Sequence, residues 1–203
     1  MDETAVIARA GAGREAVRVA RVPVAPDASR PARTAAGRDA LRALAAELVG
    51  ADPADVTVRA RCATCGGPHG RPVLGGSRAL DGLHASVAHA GDAVVVAVSE
   101  HGPIGIDAEP RGREAPPGIT LAEWVRIEAV LKADGRGLLV DPSLVLFASD
   151  ATGMAAWIDG EDERYRVVDV ELGSDLVTAL AQRETGPTGE SSSAIVVIHR
   201  PEV

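Results

Sequence analysis

Two carboxylates lie two positions apart near the middle of the chain. Residues 104–109 read Ile-Gly-Ile-Asp-Ala-Glu. In a strand, whose side chains alternate between faces, the three apolar residues share one face and Gly105, Asp107 and Glu109 share the other. Carboxylates this close repel each other unless they are solvated or share a cation, and Mg²⁺ commonly takes one or two carboxylates together with water and phosphate. The pattern indicates either a solvated strand face or a Mg²⁺ site.

A third carboxylate, Glu128, lies in a helix predicted from Leu121 to about Ala133. At helical spacing it falls within an apolar stripe. The stripe consists of Leu121, Trp124, Ile127 and Leu131. A carboxylate among core-facing residues is costly unless it is paired or binds a metal. Lys132 follows Glu128 by four positions, so the alternatives are an exposed Glu–Lys pair and a carboxylate that joins the other two.

The flanking residues set the bounds of two helices. Thr120 and Glu123 have the spacing of a capping box at the start of the first, and Gly135 ends it. The second is predicted over 34–49, because its apolar residues recur one helical turn apart, and Gly50 stops it.

The other segments favour strands and loops. Residues 4–24 alternate loosely, as edge strands do, and the apolar run 87–98 together with 104–109 predicts a hairpin. The Gly- and Pro-rich segment 62–76 predicts an exposed loop. Short strand-like runs follow at 144–147, 165–172 and 194–199. These elements fit an α+β chain with two halves of similar size, 1–103 and 104–203, the carboxylates lying in the second half.

Composition argues against several classes of function. The net charge is −8 and only 2% of the residues are aromatic, so we expect no nucleic-acid partner. No apolar run approaches the roughly 20 residues that cross a bilayer. The start, Met1-Asp2-Glu3, lacks the basic region of a secretion signal, so we expect a cytoplasmic protein with no membrane partner.

The two cysteines, Cys62 and Cys65, form a single C-x-x-C motif. A structural zinc usually needs four ligands, and only His69 lies nearby. We therefore expect a turn with two free thiols in a reducing compartment.

The carboxylate segments also carry motifs. Gly105-Ile-Asp-Ala-Glu109 resembles the G-I-D-x-E motif of the Sfp-type 4′-phosphopantetheinyl transferases. Residues 124–132 resemble the W-x-x-K-E-A-x-x-K helix of that family, and residues 135–138 resemble the glycine-rich segment that follows it. Three weaker matches lie upstream, in the order that the family has them. Arg33-Thr34 with the following helix resembles its coenzyme A contacts, and His69-Gly-Arg-Pro72 resembles its G-K-P loop. Residues 86–91 resemble its S-H-S segment. The resemblance covers about residues 30–140.

The resemblance implies the fold of that family, a pseudo-twofold pair of similar α+β halves in a monomer. It also implies Mg²⁺-dependent transfer of the 4′-phosphopantetheine arm of coenzyme A to a serine of an acyl or peptidyl carrier protein, in secondary metabolite biosynthesis. Asp107, Glu109 and Glu128 would hold the metal. The catalytic residues would be Glu128, which would also take the serine proton, and Lys132, which would neutralise charge on the phosphates. The residues expected to bind the coenzyme are Thr34, Arg71, Ser86, His89 and Lys132.

The sequence departs from the family pattern at three places. Ala88 and Ala90 replace the serines that flank the family histidine, and Ile127 replaces the lysine before the motif glutamate. The interval between Glu109 and Trp124 is much shorter than in the family and lacks a helical portion that receives the carrier.

Three functions therefore remain open. The first is the transferase, for which Arg111, Arg113 and Arg126 are candidate contacts to an acidic carrier. The second is a homologue repurposed for a reaction on a small molecule in the same cleft. The third is a catalytically silent binding protein.

Overall fold

A computed structural model describes residues 3–9, 16–60, 65–67, 70–151, 153–184 and 195–199. Within these ranges the chain forms two α-helices, α1 (Arg30–Val49) and α2 (Leu121–Asp134). The twelve strands are β1 (Glu3–Arg9), β2 (Ala16–Pro23), β3 (Thr57–Ala60), β4 (Pro72–Gly75), β5 (His84–Ala90), β6 (Ala93–Ser99), β7 (Ile104–Pro110), β8 (Val145–Asp150), β9 (Gly153–Ile158), β10 (Tyr165–Asp169), β11 (Leu176–Arg183) and β12 (Ile195–His199). None of the described helices has the length and apolar character needed to cross a membrane.

The strands form two five-stranded antiparallel sheets and one small pair. The first sheet has the order β12-β1-β2-β6-β5, the second has the order β7-β11-β10-β9-β8, and β3 pairs with β4. The predicted mixed α+β class is confirmed.

One connectivity occurs twice along the chain, as a strand, a helix and four strands. The first occurrence is β2-α1-β3-β4-β5-β6 and the second is β7-α2-β8-β9-β10-β11. In both, the first strand pairs with the last, and the last pairs with the one before it. The boundary expected at residue 103 falls between β6 and β7 and stays a prediction. The late strand β12 pairs with β1 in the first sheet.

Three apolar clusters define four layers. The central cluster joins β2, β5 and β6 of the first sheet to β7 and β11 of the second, so the sheets pack face to face. A second cluster packs α1 on the outer face of the first sheet, and a third packs α2 on the outer face of the second. The order of layers is therefore helix, sheet, sheet, helix.

Three expectations about strands need correction. The hairpin predicted from 87–98 and 104–109 is wrong: β5 and β6 pair through the two-residue turn Gly91-Asp92, whereas β7 pairs with β11. Residues 100–103 therefore carry the chain from one sheet to the other. β1 and β2 are strands, but each lies between two neighbours and neither is an edge. The end of the expected loop 62–76 forms β4, because it pairs with β3.

Both helices end as their flanking residues predict. The capping box of Thr120 and Glu123 is present, and Gly135 ends α2 in the left-handed conformation, with φ 102°. Gly50 ends α1 in the same way. α1 begins four residues earlier than expected, because Ser29 caps it and a proline is tolerated in its first turn.

Candidate functional site

β7 positions its carboxylates through the alternation expected from its sequence. Ile104, Ile106 and Ala108 are buried between the two sheets, and Asp107 and Glu109 lie on the opposite face, towards α2. This part of the prediction is confirmed. Both faces of the strand are buried rather than solvated, one against the first sheet and the other against α2.

Gly105 permits the close contact between β7 and α2. A Cβ at this position would lie 2.0 Å from the carbonyl oxygen of Ala129 and 2.4 Å from the backbone nitrogen of Ala133. Only a residue without a side chain leaves room for the helix backbone. The resulting approach places Lys132 of α2 directly over β7.

Lys132 pairs with the first carboxylate. Its Nζ lies 2.7 Å from Oδ1 of Asp107, and it also donates to the carbonyl oxygens of Ile106 at 3.1 Å and Val87 at 3.4 Å. The Asp107 side chain is only 4% exposed, and its Oδ2 is buried with no hydrogen-bond partner among the described residues. Burial raises the pKa of Asp107, and the Lys132 ammonium opposes that rise.

The other two carboxylates differ in their partners. Glu109 forms an ion pair with Arg113, four positions along the chain. Glu128 is half-buried beside them on α2. Burial raises the pKa of Glu128, and the charge of Asp107 raises it further. The pKa shift indicates that the carboxylates of the strand and the helix interact electrostatically.

The donor set suits Mg²⁺ chemically. Three carboxylates approach from facing elements, and the buried Oδ2 of Asp107 lacks a partner that a hard cation would supply. Among the described residues, however, no group of three or more His, Cys, Asp or Glu side chains converges closely enough to hold a metal ion. Two of the three carboxylates are instead engaged by Lys132 and Arg113.

Lys132 is the only lysine of the chain. Lys and Arg together number 21, so the other 20 of these residues are arginines. Arginine presents a planar fork, whereas lysine presents a compact charge on a flexible stem. The only lysine side chain of the sequence therefore lies at the carboxylate site.

A cavity of about 810 Å³ lies next to this site. Its walls come from the first half of α1, the β3–β4 pair and β5. The polar and charged residues of its lining are Arg30, Arg33, Thr34, Arg38 and His89, and most of the rest is apolar. Val87, whose carbonyl accepts from Lys132, is part of the wall, so the cavity and the carboxylates share a boundary.

The cavity is electropositive. The N-terminal end of α1, where the helix dipole is positive, contributes Arg30 and Arg33. Arg33 is held in place by donating to backbone carbonyls, including those of Ala28 and Gly91. The pKa of His89 is lowered by burial and then by the nearby charges of Lys132, Arg33 and Arg30. An anionic ligand would find complementary charge here.

Only some of the expected coenzyme-binding residues meet at the cavity. Thr34 and His89 line it. The hydroxyl of Ser86 accepts from the backbone N–H of Ile106 at 2.9 Å, which joins the edges of β5 and β7. Arg71 lies at the end of α2, where its Nη2 donates to the carbonyls of Lys132 at 2.6 Å and of Ala133 at 2.7 Å.

Sequence reasoning missed two residues of the site and assigned a third, Arg113, to the carrier instead. Arg30 and Arg38 face the cavity, and Arg113 neutralises Glu109. A sequence signal for the two cavity arginines was present. They lie eight positions apart on α1, and this spacing places both side chains on the same broad side of a helix. Of the C-x-x-C motif, Cys65 is exposed, and Cys62 and His69 lie outside the described residues, so that expectation stays a prediction.

No protein-family model matches the chain, and none of the curated proteins matches it either. The case for a function therefore depends on the site itself.

Proposed function

We propose that this protein is a Mg²⁺-dependent transferase that moves the 4′-phosphopantetheine arm of coenzyme A to a serine of an acyl or peptidyl carrier protein. The observation that carries this proposal is the shared boundary between an electropositive cavity and a cluster of carboxylates. The repeated strand–helix–four-strand connectivity supports the further proposal that the fold is that of the phosphopantetheinyl transferases.

The cavity suits part of a nucleotide-bearing ligand in size and chemistry. Its volume lies within the range of about 300–1,000 Å³ that is usual for small-molecule sites. Apolar residues such as Leu41 and Val58 form much of its lining, whereas Arg30 and Arg38 bring positive charge. Coenzyme A combines a flat base with several phosphates, and so matches both features.

The carboxylates would hold the metal, which would neutralise charge on the diphosphate of the coenzyme. Lys132 would add a second positive charge there. Glu128 would accept the proton of the carrier serine, a role that its raised pKa favours. In the transfer, the serine oxygen forms a bond to phosphorus, the bond from that phosphorus to the 3′,5′-ADP oxygen breaks, and 3′,5′-ADP leaves.

The carrier partner rests on the family resemblance and has the least support from contacts. Arg113 pairs with Glu109, Arg126 pairs with Asp169, and Arg111 donates to the carbonyls of Ser174 and Leu176. These internal contacts leave the three arginines less available to an acidic carrier.

A second candidate is a reaction on a small molecule in the same cleft. The short connection between β7 and α2, residues 111–120, favours it, because little chain is present there to receive a carrier.

Intact-mass spectrometry tests the proposal. A panel of apo-carrier proteins is incubated with the protein, coenzyme A and Mg²⁺, beside the variants Asp107→Asn and Asp81→Asn. We expect one carrier to gain a single phosphopantetheine arm with the wild type and with Asp81→Asn, whose carboxylate is exposed, but not with Asp107→Asn. If the folded wild type modifies no carrier, the small-molecule candidate replaces the transferase, and if Asp107→Asn transfers normally, the carboxylate site has no part in the reaction.

A further inference from the structure

All donors of the single lysine side chain are used where the two sheets meet. An ammonium group has three donors, and Lys132 Nζ has three oxygen acceptors within 3.4 Å. Val87 belongs to β5 of the first sheet, whereas Ile106 and Asp107 belong to β7 of the second. The side chain is 29% exposed, so it is accessible from solvent.

These acceptors are ones that a divalent cation also uses. Hard cations bind carboxylate and backbone carbonyl oxygens, and two of the three acceptors are carbonyls. The guanidinium of Arg113 pairs with Glu109 as the ammonium of Lys132 pairs with Asp107. Among the described residues the carboxylates do not converge on a common point, and two of them are paired with these side-chain cations.

We propose that Lys132 is the internal counter-ion of the metal site, pairing with Asp107 when no metal is bound and leaving it when a divalent cation and a phosphate-bearing ligand enter together. The inference rests on the proposed function for the nature of both ligands. It adds a coupling between them that the carboxylates alone do not provide.

The coupling follows from what happens to the released ammonium. A metal ion that binds alone must displace Lys132 from Asp107. The ammonium of Lys132 is then left without a partner, which is unfavourable. A phosphate in the cavity offers a new partner, and the cavity wall includes Val87, which Lys132 already contacts. The flexible stem of lysine allows this change without movement of α2. Metal and anion therefore favour each other's binding, and the effect is reciprocal.

The first test measures metal affinity without any carrier. Mn²⁺ binding is followed by electron paramagnetic resonance for the wild type, Lys132→Met and the control Arg42→Met, which removes an exposed charge paired with Asp39. Each protein is studied with and without 3′,5′-ADP, and a protein-free titration accounts for metal bound by the nucleotide. We expect Lys132→Met to raise the affinity for Mn²⁺ alone by a factor in the usual range for coupled sites, roughly 5- to 150-fold. The variant should lose most of the enhancement that 3′,5′-ADP gives the wild type.

A second measurement needs no variant. Because the chain has one lysine, lysine-selective isotopic labelling gives a single set of side-chain NMR signals. We expect these signals to shift when Mg²⁺ and 3′,5′-ADP are added together, and to change little with Mg²⁺ alone. If Lys132→Met does not fold, Arg113→Gln, which removes the exposed cation from Glu109, should raise Mn²⁺ affinity in the same direction.

The outcomes separate this inference from the proposed function. Equal Mn²⁺ affinity in the wild type and Lys132→Met, no Mn²⁺ binding in either, or unchanged lysine signals with both ligands would overturn the inference, even if a carrier is modified. Lysine signals that shift and a Mn²⁺ affinity that rises would support it, even if no carrier is modified and the transferase is rejected.

Discussion

Gly105→Ala tests how the site is assembled, because it adds one methyl group between β7 and α2. The new Cβ would lie 2.0 Å from the Ala129 carbonyl oxygen, 2.4 Å from the Ala133 nitrogen and 2.8 Å from Lys132 Cβ. The first two are backbone atoms, which cannot rotate away. Non-bonded heavy atoms settle at about 3.5 Å, so α2 would have to retreat by more than roughly 1 Å.

The expected loss of stability is large for a single methyl group. Overpacking a core usually costs about 1–3 kcal/mol, and contacts with backbone atoms place this substitution at or above the upper end. We expect the free energy of unfolding to fall by about 3 kcal/mol. In a protein of this size that corresponds to a melting temperature lower by about 6–12 °C.

Urea denaturation and thermal melting measure this effect, with Gly112→Ala as the matched control. A Cβ at Gly112 meets no atom within 4 Å, so that variant should change stability by less than about 0.5 kcal/mol. The retreat of α2 should also separate Lys132 from Asp107, which the lysine NMR signals would report. A Gly105→Ala protein as stable as Gly112→Ala, with unchanged lysine signals, would refute the close-packing argument.

Three further substitutions test individual contacts. Ser86→Ala removes the acceptor of the buried Ile106 N–H and should lower the free energy of unfolding by about 1–3 kcal/mol, measured by urea denaturation. Arg71→Met removes two charge-assisted hydrogen bonds from the end of α2 and should lower it by about 1.5–3 kcal/mol in the same assay. For Glu128→Gln, unfolding is compared across pH. Because burial raises the pKa of Glu128, its stabilising contribution is present below the ordinary pKa of 4.5 and is lost as pH rises through the folded value. The variant should therefore gain stability relative to the wild type as pH rises from 4 to 7.5.

Each of these substitutions has a control on the surface. Ser77→Ala, Arg78→Met and Glu114→Gln alter exposed side chains of the same types and should change stability by less than about 0.5 kcal/mol. Ser86→Ala or Arg71→Met matching its control would show that the contact contributes nothing. For Glu128→Gln, a difference from the wild type that does not vary with pH would contradict the account of its pKa.

The sequence predicted those parts of the site that depend on local periodicity. The alternation of 104–109 placed Asp107 and Glu109 on one face because a strand has a period of two. Thr120, Glu123 and Gly135 marked the ends of α2 because capping depends on neighbours in the chain.

The contacts between distant segments were not predictable in this way. Nothing near residue 100 indicates that the chain leaves the first sheet there and that β7 pairs with β11, whose residues lie 66 to 78 positions further along the chain. Ser86 and Arg71 were expected at the coenzyme, but their partners, Ile106 N–H and the last carbonyls of α2, are set by tertiary packing. Arg113 was expected to contact an acidic carrier, and its pairing with Glu109 was not predicted, because the pairing of residues four apart is a rule for helices and Arg113 follows a strand.

The placement of β7 also bears on how this protein would associate with itself. Unpaired strand edges can recruit strands from other chains. β7 and β5 are the edge strands of their sheets, and they lie side by side, joined by the Ser86 hydroxyl, so each shields the other. In the described structure β8 pairs only with β9, at the far end of the second sheet. A strand added there would extend the sheet away from the carboxylates, so self-association through β8 would leave the site open to its ligands.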